Sequence, residues 1–184
     1  MKITVIGRGN IGGGLADRWE KAGHTVTRLG HDGGDAADAD ADAVLVAVPS
    51  AAIADALGKV SGLEGKIAID ATNVFGDRNE EFASNAHEVK SIVGGPTAKS
   101  FNLNFANLYD EIGAQRVPPS SLYCAEDEAR EVTERLIRDA GYDPVYAGGL
   151  DKARMLEEHL ALLFAVNQAG LGRFFYRYAP PGRL

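Results

Sequence analysis

Three glycines, Gly7, Gly9 and Gly12, stand between an apolar run and a helical pattern near the start of the chain. Glycine in the first turns of a helix costs about 1 kcal/mol relative to alanine, so a ligand or a close contact is expected to offset that cost. In the G-x-G-x-x-G turn of dinucleotide-binding proteins, the first glycine makes the tight turn, the second lets the backbone approach the pyrophosphate and the third lets the helix pack on the strand. The helix N-terminus then offers free N–H groups to the anion. The spacing therefore predicts a dinucleotide site, and a glycine-rich turn without a ligand is the alternative.

The end of the second predicted strand bears on which dinucleotide the site would take. An acidic residue there would bind the ribose 2′-hydroxyl and favour NAD. Here Gly30 occupies that position and His31 follows it. Arg8, inside the glycine turn, and His31 could both face a 2′-phosphate, although Arg8 could also be a solvated charge and His31 an ordinary loop histidine. We therefore expect NADP as the cofactor and keep NAD as the alternative.

These residues would be positioned by strands that alternate with helices. Sequence patterns predict strands at residues 2–7, 24–30, 43–49, 66–72, 97–105, 120–127 and 143–149, and helices at residues 12–23, 50–60, 79–93, 127–141 and 151–175. Alternation of this kind implies βαβ units, a parallel sheet and right-handed crossovers. We therefore expect an α/β fold, with a doubly wound, mostly parallel Rossmann sheet and a C-terminal helix. Residues 1–184 are expected to form a single NAD(P)-binding domain.

Composition and charge exclude several classes of function. The 184 residues are 45% hydrophobic, and 19 basic against 26 acidic residues give a formal charge of −7. An acidic chain is unsuited to nucleic acid and to anionic membrane surfaces, and no apolar run reaches the roughly 20 residues of a membrane span. The first strand begins at residue 2, so we expect no signal peptide. The single Cys124 excludes an internal disulfide framework, and we expect a cytoplasmic protein with Cys124 as a buried, unreactive thiol.

Five segments, taken in order, resemble one known family. They are "GRGNIGGGLA" at 7–16, "VLVAVP" at 44–49, "IDATN" at 69–73, "AKSFN" at 98–102 and the closing segment at 150–177. Together they resemble the small NADP oxidoreductases related to coenzyme F-420-dependent NADP reductase. That group shares its dinucleotide domain with the cytoplasmic part of membrane ferric reductases. The chain departs from the family at Leu29, Gly30 and His31, where the family has a Gly-Ser-Arg that grips the 2′-phosphate, and the helix that normally follows is shortened.

The resemblance implies an NADP(H) site along the carboxyl edge of the sheet. The residues that it assigns to the pyrophosphate are Gly7, Arg8, Gly9, Asn10 and Ile11, and those that it assigns to the nicotinamide end are Val48, Pro49, Ala71 and Asn73. Asn102 would lie close to the nicotinamide end or hold the loop there. Three of these residues also have a plainer interpretation. Pro49 could begin a helix, Asn73 could be a cap or turn residue, and Asn102 or Asn104 could cap a helix that follows the strand. These roles do not exclude contact, because loops at the carboxyl ends of strands bind ligands in such sheets.

The activity that the resemblance implies is hydride transfer between NADP(H) and a small acceptor. The acceptor would be a deazaflavin such as coenzyme F-420, a flavin or another small molecule. Such a reaction moves a hydride from carbon to carbon, so the protein must stack two rings and exclude water, and need not supply a nucleophile. We therefore predict no catalytic side chain, and the four histidines lack metal-ligand spacing.

Two other functions remain open from the sequence. A carbonyl or imine reductase would need a proton donor near the nicotinamide, for which His159, Lys99 and Tyr109 are candidates. His159 could equally be an interface or surface histidine, and Lys99 could simply be solvated. A module that senses NAD(P)H without turning it over is the second alternative, because no catalytic acid is evident.

The predicted closing helix is apolar on nearly all sides. Its apolar residues are Met155, Leu156, Leu160, Leu162, Leu163, Phe164, Val166, Leu171, Phe174 and Phe175. A helix that is apolar all round is expected to be buried, and a domain of this size has a limited interior. We therefore expect segment 151–178 to lie at a dimer interface or over the substrate pocket, and we predict a homodimer.

Overall fold

The computed structural model describes residues 1–30 and 40–182, so the prediction made for His31 lies outside the described residues. The strands are β1 Lys2–Ile6, β2 Thr25–Leu29, β3 Ala43–Val46, β4 Ala68–Asp70, β5 Thr97–Lys99, β6 Ser120–Ala125 and β7 Asp143–Tyr146. They form one sheet in the order β2-β1-β3-β4-β5-β6-β7. Neighbouring strands are parallel except for the antiparallel pair β5 and β6. The predicted doubly wound, mostly parallel sheet is confirmed.

Helices connect most of the parallel strands, as the alternating pattern predicts. The α-helices are α1 Asn10–Lys21, α2 Ile53–Gly58, α3 Asn85–Val93, α4 Asp127–Asp139 and α5 Ala153–Val166, and 3-10 helices lie at Ser50–Ala52, Ala106–Ala114 and Leu150–Lys152. The helix predicted from residue 79 is wrong in its first part, because α3 begins only at Asn85. Ser84 is its N-cap, and the Ser84 hydroxyl accepts a hydrogen bond from the His87 N–H. A serine cap of this kind fixes where a helix starts even when apolar spacing continues upstream.

The fifth strand is also shorter than the predicted span of residues 97–105. After Lys99, the Ser100 N–H still donates to the Asp70 carbonyl at 3.0 Å. Phe101 then takes φ +64°, a left-handed conformation that ends an extended run. Its ring is fully buried and packs edge-on against Trp19, with 5.9 Å between the ring centroids. The free energy gained by burying this ring accounts for the left-handed conformation of Phe101, which the strand pattern did not reveal.

The strand register brings the predicted site segments to one edge of the sheet. Ile6 pairs with Val46, Val46 with Asp70, and Asp70 with Lys99, so four strands end at the same level. The strand order reverses beside β1, because β2 lies on one side of it and β3 on the other. In open α/β sheets, ligands bind outside the carboxyl ends of the strands at this point. The glycine turn follows β1 directly at that position.

The closing helix ends earlier than the predicted residue 175. α5 stops at Val166, a π turn follows at Asn167–Leu171, and Gly170 and Gly172 take φ values of +114° and +73°. Such values suit glycine and stop a helix. The chain then runs alongside β6, where the Ser120 N–H donates to the Tyr176 carbonyl at 2.9 Å. The two glycines therefore override the apolar pattern that continues past them.

The apolar surface of α5 is divided between the interior and the outside of the chain. Leu156, Leu160 and Leu163 are buried, whereas Met155 and Leu162 are 60% and 56% exposed. The inner row belongs to a buried apolar cluster that includes Leu103 and Cys124, and the outer row is exposed. Across the described ranges, every helix is too short or too polar to traverse a bilayer.

Cys124 lies in β6 and is completely buried, as predicted. Burial raises the pKa of its thiol to about 12, mainly because the thiolate would lose its hydration. The thiol is therefore protonated at neutral pH, and a protonated thiol is not nucleophilic.

Candidate functional site

Two glycines of the turn are required by the fold itself. Gly7 takes φ +108°, and a Cβ at this position would lie 2.2 Å from the carbonyl oxygen of Ala47. A Cβ at Gly12 would lie 2.0 Å from the carbonyl oxygen of Gly7. Both distances are far inside van der Waals contact, so any side chain would push α1 away from the sheet. These two glycines have the turn and packing roles that the motif predicts, and neither role requires a ligand.

Gly9 is different, because nothing in the folded chain requires a glycine there. A Cβ at this position would meet no atom within 4 Å, and its φ and ψ of −72° and −171° are accessible to any residue. Gly9 is the N-cap of α1, and no side chain caps the helix. The first N–H groups of α1, at Asn10 and Ile11, therefore lack a helical acceptor. The first turn also contains no acidic residue, so the space above Gly9 suits an anion.

The glycine run continues at Gly14 for a reason unrelated to a ligand. A Cβ on Gly14 would lie 2.5 Å from the ring of Tyr109, which packs behind α1. Tyr109 is buried, and burial raises the pKa of its phenol above the ordinary value. Tyr109 therefore belongs to the core and does not line the cleft, which removes it as a proton donor to a bound nicotinamide.

A cleft of about 620 Å³ runs along the carboxyl edge of the sheet, from the N-terminus of α1 to α5. Eight of the predicted site residues line it together: Gly9, Asn10, Ile11, Val48, Pro49, Ala71, Asn73 and Asn102. The predicted site residues Gly7, Arg8 and Gly30 do not line it. A volume of several hundred cubic ångströms with a mostly apolar lining is typical of a small-molecule site.

Asn73 and Asn102 hold the middle of the cleft together. The Asn73 side-chain amide donates to the Asn102 carbonyl at 2.8 Å, and the Asn102 amide donates in return to Asn73 Oδ1 at 3.1 Å. The Asn102 amide also donates to the carbonyl of Leu156 in α5 at 3.1 Å. The loops after β4 and β5 are thus fastened to each other and to α5. Of the roles expected for Asn102, holding its loop is the one that the hydrogen bonds display.

A buried group of four charges lies beneath this asparagine pair. Lys99 Nζ lies 2.7 Å from Asp70 Oδ2 and 3.1 Å from Glu157 Oε1, and all three side chains have no solvent exposure. Lys99 also donates to the Thr72 carbonyl at 2.7 Å. Arg78 pairs with the other oxygen of Glu157. The group therefore contains two positive and two negative charges, of which Lys99, Asp70 and Glu157 are fully buried and Arg78 is partly exposed.

The charge group corrects the interpretation of Lys99. It is neither solvated nor a proton donor in the cleft, since it is fully buried and is absent from the cleft lining. His159, the remaining candidate acid, is partly exposed on α5 and does not line the cleft either. Sequence reasoning missed Glu157 and Arg78. The sequence feature that could have indicated the charge group is Glu157, a charged residue next to Leu156 on the buried face of α5.

Aromatic rings form the wall opposite the sheet edge. Phe75, Phe105 and Phe164 line the cleft, and the Phe164 ring lies 6.1 Å from Phe75 and 6.5 Å from Phe105. Phe105 in turn packs on Phe174 at 5.5 Å. A flat ring entering from this side would meet edges and faces of other rings. Sequence reasoning listed Phe164 and Phe174 as apolar helix positions and did not identify this wall.

The far end of the glycine turn carries a positive charge. Arg8 Nη2 donates to the carbonyl of Arg28 at 3.1 Å, so its guanidinium lies across the end of β2. A Cβ on Gly30 would lie 3.1 Å from Arg8 Cζ, which means that Gly30 leaves the guanidinium room. Among the described residues Arg8 has no carboxylate partner, whereas Arg28 is paired with Asp17 and Glu20. In residues 1–30 and 40–182, no cluster of histidine, cysteine and acidic side chains is arranged to bind a metal ion.

No protein-family model matches the chain, and neither does any curated protein. Solved structures do share its fold. A proposed F420-dependent NADP reductase from Arthrobacter sp. FB24 has a TM-score of 0.77 and 22% identity, over 98% of this chain and 100% of that one. The hypothetical protein SMa0349 from Sinorhizobium meliloti has a TM-score of 0.68 and 25% identity, over 83% and 88%. A reductive aminase from Aspergillus terreus, solved with NADPH and ethyl levulinate, has a TM-score of 0.71 and 19% identity, over 92% of this chain and 62% of that one. The chain therefore has the Rossmann-like α/β fold of these proteins.

Proposed function

We propose that this protein is an NAD(P)-dependent oxidoreductase that transfers a hydride between NADP(H) and a flat acceptor of the deazaflavin or flavin type, with coenzyme F-420 as one candidate. The observation that carries the proposal is the open, uncapped N-terminus of α1 at Gly9. Gly7 and Gly12 are explained by the fold, whereas nothing in the fold requires glycine at position 9, and a ligand whose phosphates approach the backbone there would require it. The solved structures of the same fold include a reductase complex with NADPH.

The chain's own residues would bind and orient the cofactor along the cleft. The N–H groups of Asn10 and Ile11 would hold the pyrophosphate. Val48, Pro49 and Ala71 would pack around the nicotinamide end. The nicotinamide supplies the hydride when it is bound, and the aromatic wall would keep water away and align an acceptor ring.

A carbonyl or imine reductase has less support. Such an enzyme needs a proton donor at the reacting carbon. Lys99 is buried in the charge group, Tyr109 lies behind α1, and His159 lies outside the cleft lining. Direct hydride transfer between two rings needs none of them.

Two measurements test the proposed function. Isothermal titration calorimetry should detect binding of NADPH, and absorbance at the reduced nicotinamide band should fall when F-420 or FMN is added. Absence of heat with both NADPH and NADH would refute the proposal. Tight binding without oxidation by any acceptor would favour the sensor module instead.

Preference for NADP over NAD is expected to depend on Arg8. Replacing Arg8 with glutamine should raise the Kd for NADPH about tenfold, because a charge-assisted hydrogen bond to the 2′-phosphate would be lost. The Kd for NADH, which lacks that phosphate, should not change. Arg135→Gln removes an exposed cation from α4 and is the control. An equal rise in the Kd values for NADPH and NADH would show that Arg8 does not recognise the 2′-phosphate.

The homodimer and the cytoplasmic location stay predictions that accompany this function. The exposed row of Met155 and Leu162 on α5 supports the dimer, because it presents apolar area beside the cleft. Sedimentation that detects only monomer at micromolar concentration would contradict it.

A further inference from the structure

Arg173 is the one charged side chain among the described residues that line the cleft. It immediately precedes Phe174, whose ring packs on Phe105 in the aromatic wall. Arg173 thus adjoins the aromatic wall in the chain. The N-terminus of α1, where the cofactor phosphates would bind, contributes other residues to the lining.

The turn after α5 sets the position of Arg173. Gly170 and Gly172, with positive φ values, reverse the chain at the end of the helix. Tyr176 then fixes the returning segment to β6, since its carbonyl accepts from the Ser120 N–H at 2.9 Å and its hydroxyl accepts from the Leu122 N–H at 3.3 Å. Arg173 is therefore held between a turn that only glycine readily forms and a segment that is bound to the sheet.

Arg173 is oriented by a neutral partner. The side-chain amide of Asn107 faces the Arg173 guanidinium, and with the amide oxygen turned toward that group Arg173 Nη2 donates to it at 3.1 Å. No carboxylate of the described residues pairs with Arg173, whereas Arg28, Arg138 and Arg154 all pair with acidic side chains. Arg173 is an exposed residue, and its neutral amide partner leaves the guanidinium charge uncompensated by any acidic side chain of the described residues. This arrangement suits the receipt of an anion.

We propose that Arg173 binds an anionic group carried by the acceptor, so that the site selects flat heteroaromatic acceptors with a phosphate-bearing side chain over neutral ones. This inference rests on the proposed function, because it assigns the aromatic half of the cleft to the acceptor. The cofactor phosphates have the α1 amide groups and Arg8 as their own partners. Arg173 adjoins Phe174 of the aromatic wall in the chain, so we assign it to the molecule that stacks on that wall.

FMN and riboflavin are a matched pair of probes, because they share one ring system and differ by a single phosphate. Quenching of flavin fluorescence would measure the binding of each to protein saturated with NADP⁺, a combination in which no hydride can be transferred. We expect FMN to bind about tenfold more tightly than riboflavin, as one charge-assisted contact allows. Arg173→Gln should remove that difference and leave the Kd values for riboflavin and NADPH unchanged. Arg173→Lys should retain part of it.

Arg116→Gln removes an exposed cation outside the cleft lining and serves as the control. Equal affinity of the wild type for FMN and riboflavin would overturn the inference, and so would the failure of both flavins to bind. A higher Kd for NADPH in Arg173→Gln would identify Arg173 as a ligand of the cofactor and would also overturn the inference. If the wild type does not bind NADPH at all, the proposed function itself fails. That result is distinct from the flavin-binding results that test Arg173.

Discussion

Replacing Gly9 with aspartate is expected to abolish nucleotide binding while leaving the protein at least as stable as the wild type. The new carboxylate would occupy the open space where the pyrophosphate is proposed to lie. Like charges in contact cost several kcal/mol, so we expect the Kd for NADPH to rise at least about 100-fold. The same carboxylate would cap α1, which has no side-chain cap, and should add about 0.5 kcal/mol to the free energy of unfolding.

Calorimetry with NADPH and thermal unfolding of the same variant would measure both effects. Gly58→Asp is the matched control, because a Cβ on Gly58 also meets no atom within 4 Å and the position lies in α2, outside the cleft lining. It adds the same charge and should leave the Kd unchanged. Undiminished binding by Gly9→Asp would mean that the pyrophosphate does not lie over α1. A large loss of stability would mean instead that Gly9 has a structural role.

The glycine turn could be predicted from the sequence because its requirements are local. Gly7 must take a positive φ, and Gly12 must let α1 approach the Gly7 carbonyl, so these two needs arise within six residues of chain, although Gly7 also lies against the distant Ala47. The cleft lining was assigned from the family resemblance, which groups Val48, Ala71 and Asn102 at the nicotinamide end. The fold explains why they meet: once the strands are parallel, the residues that follow β1, β3, β4 and β5 come together at one edge.

Features that join distant parts of the chain could not be predicted in this way. The apolar period of the closing helix continues through Phe175, but Gly170 and Gly172 end it and expose Arg173 to the cleft. Local spacing gives no indication that the returning segment binds β6. The pairing of Lys99 with Glu157 likewise joins two segments that lie far apart in sequence. A lysine within an apolar strand can be recognised as a buried charge only when the acidic residue that pairs with it is known.

Replacing Lys99 with methionine is expected to lower the free energy of unfolding by about 3–5 kcal/mol, the range observed when one partner of a buried ion pair is removed. Methionine fits the volume of the lysine stem, so the loss would come from charge and not from a cavity. Asp70 and Glu157 would remain buried with only Arg78 as a cation, which leaves one negative charge uncompensated. Urea-induced unfolding followed by circular dichroism would measure the change.

Lys59→Met is the control, since Lys59 forms an exposed pair with Asp55 at i,i+4 and should lose no more than about 0.5 kcal/mol. Adding Glu157→Gln to Lys99→Met should recover part of the stability, because it removes the uncompensated charge. A cost below about 1 kcal/mol for Lys99→Met would contradict the buried charge group as a determinant of stability. The variant also separates two functions of this region. If the folded fraction still binds NADPH normally, the charge group supports the fold and is not needed for cofactor binding.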